Sequence, residues 1–168
     1  DLHAYDTLLG TAGKAFDDYL DSDRKLLKES SAMLDKVISL IEASNCEFII
    51  VPGDLTKDGE AVGHAIVTAK LESLKNSGKM VFVTCGNHDI DNPDAKSFSG
   101  ENSSDVESIK KEDFESIYSD FGFGDALSRD SLSLSYVASP KEGVFLIALD
   151  GCKYEKNRKE GWPLTSGR

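Results

Sequence analysis

Histidine is scarce in this sequence: His3, His64 and His88 are the only three among 168 residues. No apolar run approaches the roughly 20 residues that a membrane helix needs, which argues against a spanning segment. Basic residues are also under-represented, with 19 Lys and Arg against 30 Asp and Glu and a formal net charge of −11. A surface of that sign repels nucleic acid polymers, whose binding requires Lys/Arg patches. A phosphate-bearing substrate must then be drawn in by something other than side-chain cations, and bound metal ions are the strongest candidates. Cysteine is limited to Cys46, Cys85 and Cys152. They form no CxxC or Cys/His zinc spacing, and their odd number gives no complete disulfide framework; three free, buried thiols are expected. No internal repeat or low-complexity tract is present. No signal peptide is visible, but Asp1 already belongs to a motif, so a natural N-terminus upstream is expected.

What remains is ordinary for a single globular domain, with 39% hydrophobic and 29% charged residues. Ala4 to Asp23 reads as a long polar loop with one short helix around Ala15–Leu20. Leu26, Leu27, Met33, Leu34, Val37, Ile38 and Ile41 recur at near-helical spacing, with Asp23 as the expected N-cap. Phe48-Ile49-Ile50-Val51 is a short apolar run ended by Pro52-Gly53, the pattern of a buried parallel strand. A second helix is predicted over Glu60–Lys75, with Val62, Ile66, Leu71 and Leu74 inward, and a second buried strand over Met80–Thr84. Asp89 to Glu107, rich in Asp, Asn, Ser and Gly, is predicted to be an exposed loop. Phe114, Ile117, Tyr118 and Phe121 indicate a short helix, Leu132–Val137 an alternating strand, and Val144–Leu149 another buried strand. The β-α-β-α-β order predicts an α/β domain with a mainly parallel core sheet.

Three polar clusters stand at strand ends, or where a strand end is expected: Asp1-Leu2-His3, Gly53-Asp54, and Gly86-Asn87-His88-Asp89. In an open parallel sheet the carboxyl ends of neighbouring strands meet at one edge, where ligands bind. Two carboxylates, an imidazole and an amide oxygen converging there form a mixed O/N set that suits Mn, Fe or Zn better than Ca. A carboxylate such as Asp54 has two oxygens and can bridge two metals. Two metals about 3.5–4 Å apart can hold a hydroxide for in-line attack on phosphorus. His88 is placed to protonate a leaving alkoxide, with Asp89 as the adjacent carboxylate that would orient it. Taken singly, Asp-x-His is common and Gly-Asp is usually a turn. Gly-Asn-His-Asp is rarer, because those side chains serve no packing purpose at a strand end.

The stretch from Asp54 to Gly59 imitates a calcium loop, but the twelfth position is Ala65 instead of Glu and a strand precedes it. His64 is expected to be a helix-surface or locally hydrogen-bonded residue. Asp150 is equally compatible with a turn and with a substrate-side role, and Tyr154 and Trp162 are expected to serve packing.

With these residues assembled, the sequence resembles the calcineurin-like metallophosphoesterase superfamily, whose pattern runs D-x-H, G-D, G-N-H-D/E, a lone His, and G-H-x-H. Asp1-Leu2-His3, Gly53-Asp54 and Gly86-Asn87-His88-Asp89 match the first three blocks. The resemblance implies Asp1 and His3 on one metal, Asp54 bridging, Asn87 on the second metal, and His88 as the acid. Gly53-Asp54-Leu55-Thr56 with Gly59-Glu60 and His64, then Tyr118–Gly122 and Ser133–Tyr136, are similar to bacterial cyclic-nucleotide phosphodiesterases of that superfamily.

The fold implied is a four-layer αββα sandwich, with residues 1–168 as the N-terminal part of a single domain, its first strand and C-terminal half missing. The lone His and G-H-x-H blocks are not among the three histidines, so three further ligands are expected beyond Arg168, and the chain alone is expected to turn over little. The expected reaction is two-metal hydrolysis of a small phosphodiester, with 3′,5′-cyclic nucleotides favoured. A phosphomonoesterase with the same metal core and a binding module with a relic site are the alternatives.

Overall fold

The computed structural model describes residues 1–162. A 3-10 turn at Thr7–Leu9 leads to α1 (Lys14–Ser22), α2 (Ser30–Glu42), β1 (Phe48–Val51), α3 (Ala61–Asn76) and β2 (Met80–Val83). A hairpin follows, β3 (Lys96–Ser99) with β4 (Asn102–Asp105). Next come α4 (Lys111–Ile117), a π turn at Ser119–Phe123, β5 (Ser128–Arg129), β6 (Tyr136–Lys141), β7 (Val144–Ala148) and the short α5 (Asn157–Glu160). Among the described residues no helix is long and apolar enough to cross a membrane.

The pair that matters for chemistry is β1 and β2. Both are runs of β-branched and aromatic residues, and they pair in parallel with Phe48 opposite Met80 and Val51 opposite Val83. Matched ends place the loops from Pro52 and from Thr84 side by side at one sheet edge. Helices α2 and α3 supply Leu34, Ile38, Val67, Leu71 and Leu74 to the core around this pair. An aromatic cluster of Phe114, Tyr118, Phe121, Phe123 and Tyr136 belongs to the same core, and the Tyr136 hydroxyl donates to the Val83 carbonyl at 2.8 Å. A second, smaller core of Tyr5, Leu9, Phe16, Leu27 and Phe98 joins α1 to the β3–β4 hairpin, making an arm beside the site.

Several expectations are corrected. Helix α2 begins at Ser30, so Asp23 is not its N-cap; the Asp23 carboxylate instead accepts from Lys25 N and the Tyr19 hydroxyl, while Leu27 turns into the smaller core. On α3 the inward set is Gly63, His64, Val67, Leu71 and Leu74, with Val62 exposed. The 89–107 stretch is not a bare exposed loop: it contains the hairpin and buries Ile90, Asn92, Ala95 and Phe98.

The sheets are not mainly parallel. Strands β5, β6 and β7 form an antiparallel sheet, because the two residues Glu142 and Gly143 between β6 and β7 allow only a hairpin. Strand β6 starts at Tyr136, not Leu132. In the preceding segment Leu132 N bonds Asp130 and Ser135 N bonds the Ser133 hydroxyl, a local bonding mode that competes with the ladder. Strand β7 is exposed on one face, with Phe145 at 70% and Ile147 at 64%. All three cysteines are free, but Cys46 is exposed.

His64 is wholly buried, not on the surface. Its Nε2 lies 2.9 Å from the Asp89 carbonyl and its Nδ1 2.7 Å from the Tyr118 hydroxyl. A carbonyl only accepts, so Nε2 carries the proton and Nδ1 accepts from Tyr118. Burial lowers its pKa from 6.5 to about 4. The folded state therefore favours the neutral ring, and the stability it contributes is complete above about 6.5 and drains away as pH falls toward 4. The difference in unfolding free energy between the parent and His64→Gln should shrink between pH 6.5 and 5, by up to about 1.4 kcal/mol per pH unit. A difference that stays flat across that range in urea titrations would refute the neutral, buried imidazole.

Candidate metal centre

The first residues are stitched to the loop after β1. Leu2 N and His3 N both donate to the Asp54 carbonyl, at 2.8 and 3.0 Å, and Ala4 N donates to the Leu55 carbonyl. Ala4 and Thr56 form a parallel bridge. This lays Asp1 and His3 against Asp54. One ligand atom from each of the three lies within 4.8 Å of the others.

The ligands are held in demanding backbone states. His3 and Asp54 both have left-handed φ, 43° and 47°, uncommon outside glycine although Asn, Asp and His are the residues that best tolerate it. Gly53, at φ 95°, lies against the backbone of Cys85 and Gly86: a Cβ on it would come to 2.6 Å from Gly86 N. A Cβ on Gly86 would lie 2.1 Å from Asp54 Oδ1. Both glycines are therefore needed for the two loops to touch, which is the reason for a glycine before each cluster. Asn87 stands between two residues in contact with Asp54, since His88 N donates to Asp54 Oδ1 at 3.1 Å.

The His3 ring faces the Thr56 carbonyl through Nδ1 at 3.3 Å, so that nitrogen carries the proton. The Nε2 lone pair is left 4.0 Å from Asp54 Oδ2. Burial, aided by the Lys25 charge, lowers the His3 pKa, favouring the neutral imidazole that binds metals. The donor set of two carboxylates and a neutral imidazole fits a hard-to-borderline divalent cation.

Asp89 is where the sequence reading needs correction. Its carboxylate does not orient the His88 ring. Oδ1 accepts from Leu55 N at 2.8 Å, Thr56 N at 3.0 Å and the Thr56 hydroxyl at 3.3 Å, while Oδ2 accepts from Gly86 N at 2.8 Å. It is a staple between the two loops. Burial pushes its carboxyl up to about 7 while the backbone donors pull the other way.

The group that holds His88 is Asp58, whose Oδ1 lies 2.8 Å from His88 Nδ1. The Asp58 side chain is 2% exposed. Burial alone would raise its pKa, but the bond from His88 and the charges of Lys57 and Lys25 outweigh it and hold the carboxyl below its usual range. Lys57 is itself fully buried, with Nζ on Asp58 and 2.9 Å from Glu60 Oε1, and those two charges keep it protonated against its burial.

Asp58, Lys57 and Glu60 were missed as a functional group in the sequence. The available signal was three charged residues within four positions directly after a strand-end Asp. The His88 and His3 rings meet edge to face with centroids 5.4 Å apart, which puts His88 beside the candidate ligands. Asp150 accepts from Leu134 N, Cys152 N and the Tyr154 hydroxyl, and Trp162 is 61% exposed.

Replacing Asp89 by Asn turns one acceptor toward backbone N–H groups as a donor, with no water to relieve it. Asp89→Asn should cost about 1–3 kcal/mol, lowering Tm by roughly 2–12 °C for a chain of this size. Thermal unfolding measures it, and a Tm within a degree of the parent would show that the staple contributes nothing.

Among curated proteins none matches the chain. The sequence does match the family described as calcineurin-like phosphoesterase over residues 1–157, a span that includes Asp1, His3, Asp54, Asp58, Asn87, His88 and Asp89. The chain belongs to the calcineurin-like phosphoesterases, hydrolases that act on phosphoester bonds with divalent metal ions.

Proposed function

We propose that the protein is a phosphodiesterase with a two-metal centre, acting on small phosphodiesters of the 3′,5′-cyclic nucleotide class. The observation that carries this reading is the meeting of Asp1, His3 and Asp54 within 4.8 Å, beside a His88 whose Nδ1 is held by Asp58. Asp1 and His3 would hold one metal, Asn87 the other, and Asp54 both. Bound there, the metals supply Lewis acidity toward the phosphoryl oxygens and a water acidic enough to attack at neutral pH.

The chain's own contribution is orientation and a proton. With Nδ1 committed to Asp58, only Nε2 of His88 is available to give a proton to the departing alkoxide oxygen. The buried Asp58 carboxylate stabilises the ring while it carries that proton. The products are a phosphomonoester and an alcohol; for a cyclic diester both remain on one molecule.

Support for a cyclic nucleotide comes from where the matching segments lie. The similarity to cyclic-nucleotide phosphodiesterases rests on Gly53–Thr56 with Gly59, Glu60 and His64, and on Tyr118–Gly122 with Ser133–Tyr136. In the fold these segments meet directly behind the site, where Tyr118 holds His64 and His64 holds the Asp89 backbone. We further propose that the β1–β2 and β5–β6–β7 sheets belong to the two sheets of an αββα sandwich. The apolar faces of Ile50 on the first, and of Phe145 and Ile147 on the second, are half or more exposed, as expected of sheets that continue packing.

The test is substrate choice with manganese. In its natural full-length form the protein should hydrolyse bis-p-nitrophenyl phosphate and cyclic AMP faster than p-nitrophenyl phosphate. Asp54→Asn should weaken manganese binding on the order of 100-fold by calorimetry, at least as much as loss of a supporting residue does. Faster turnover of the monoester would replace this reading by a phosphomonoesterase, and absence of both turnover and manganese binding would replace it by a binding module.

A further inference from the structure

Asp58 is held by more than the residue it serves. Its Oδ1 takes His88 Nδ1 at 2.8 Å, Asn92 Nδ2 at 3.4 Å and Lys25 Nζ at 3.5 Å. Its Oδ2 takes Lys57 Nζ and the Tyr19 hydroxyl, the latter at 3.2 Å. Every direction in which this carboxylate could turn is therefore blocked by a donor it would have to give up.

The sources of these donors differ. Lys57 is the chain neighbour of Asp58 and moves with it. Tyr19 and Lys25 come from 39 and 33 residues away, on the arm formed by α1 and the segment after it. Asp23 ties the two together: the single Tyr19 O–H is shared between Asp23 at 2.9 Å and Asp58 at 3.2 Å, and Lys25 Nζ donates to Asp23 at 3.0 Å. Lys57 Nζ in turn lies 4.7 Å from the Tyr19 ring centroid and 5.8 Å from that of Phe98 on the hairpin, within cation–π range. The arm has its own apolar core, so it docks as a unit, and its polar underside closes on Asp58.

We propose that Tyr19 and Lys25 are positioning residues for the leaving-group proton donor: the docked arm locks the Asp58 carboxylate, and Asp58 fixes the His88 ring. This rests on the reading of His88 as the donor given above. A packing role alone would make the arm a stability element with no bearing on one class of leaving group over another. A positioning role has a different signature. A p-nitrophenolate departs as a stabilised anion and needs little help from an acid, whereas a ribose alkoxide needs its proton.

The experiment compares the full-length parent with Tyr19→Phe, Lys25→Met and the double variant, using cyclic AMP and bis-p-nitrophenyl phosphate with manganese. In the double variant kcat on cyclic AMP should fall roughly tenfold or more, the scale set by misplacing a general acid, with KM changed less than about threefold. Turnover of bis-p-nitrophenyl phosphate should stay within about threefold of the parent. Lys25→Arg, which keeps the charge and the donors, should recover most of the loss.

A second readout needs no turnover. With only three histidines, nitrogen-15 spectra of the metal-free imidazoles are simple to assign. His88 should show a single Nδ1–H tautomer in the parent and a mixture in the double variant, while His64 stays unchanged. Equal losses on the two esters, or an unmoved His88 signature, overturn the proposal. If the parent hydrolyses neither ester, it is the phosphodiesterase reading that has failed, and the His88 tautomer alone then decides whether the arm holds the ring.

Discussion

The arrangement of the site depends on one buried carboxylate. Asp89 receives three backbone N–H groups and one hydroxyl, from the loop after β1 and from the loop after β2. Without it Leu55 N, Thr56 N and Gly86 N would be buried donors lacking this acceptor, each costing about 1–3 kcal/mol. The parallel register of β1 and β2 brings the two loops to the same level; Asp89 closes the remaining gap. Asp54 and Asn87 keep their relative places because Asp89 bridges the backbones of their chain neighbours, Leu55 and Thr56 on one loop and Gly86 on the other.

The second constraint is a set of charges that packing alone would not choose. Lys57, Asp58 and Glu60 are all at most 1% exposed. Replacing such a group by apolar residues is often neutral or stabilising, and breaking it by removing one member is strongly destabilising. Stability is therefore a weak reason for its presence. Its members do account for each other: Lys57 bridges Asp58 and Glu60, and Glu60 Oε2 accepts from Asp58 N at 2.9 Å. What the network presents outward is a carboxylate of fixed direction, at the Nδ1 of His88. A buried charge with one aimed face is better explained by what it aims at than by the energy of the pair.

Much of the framework was legible in the sequence. The runs Phe48–Val51 and Met80–Val83 are short, apolar and β-branched, and each is followed by a glycine and a polar cluster, so both the strands and the site edge could be read from local pattern. The antiparallel pairing of β6 and β7 was hidden because a fully apolar run looks alike in either orientation, and only the shortness of the Glu142-Gly143 link decides it. The exchange of roles between Asp89 and Asp58 was not legible from spacing. Asp89 is next to His88 in the chain, yet its side chain is turned into the loop junction. Asp58 is thirty residues away, and was visible only as an imitation of a calcium loop. Neighbours in sequence do not share a direction, and the turn at Asn87-His88 sends these two side chains apart.

The backbone strain falls where the ligands are. Among the described residues three non-glycine positions have positive φ, and two of them are His3 and Asp54; each such conformation costs on the order of 1–3 kcal/mol. His and Asp tolerate that state better than most residues, but it is still strained, and surrounding bonds hold it. They are visible: His3 N and Leu2 N both close on the Asp54 carbonyl, and Asp54 Oδ1 is fixed by His88 N. A relaxed loop could bury the same apolar atoms with less strain, but it would not turn the His3 imidazole and the Asp54 carboxylate toward a common point. The strain is thus the direct consequence of turning both donors toward a common point. It separates this edge from an ordinary strand-end turn, where no bond would need to hold a residue in the left-handed region.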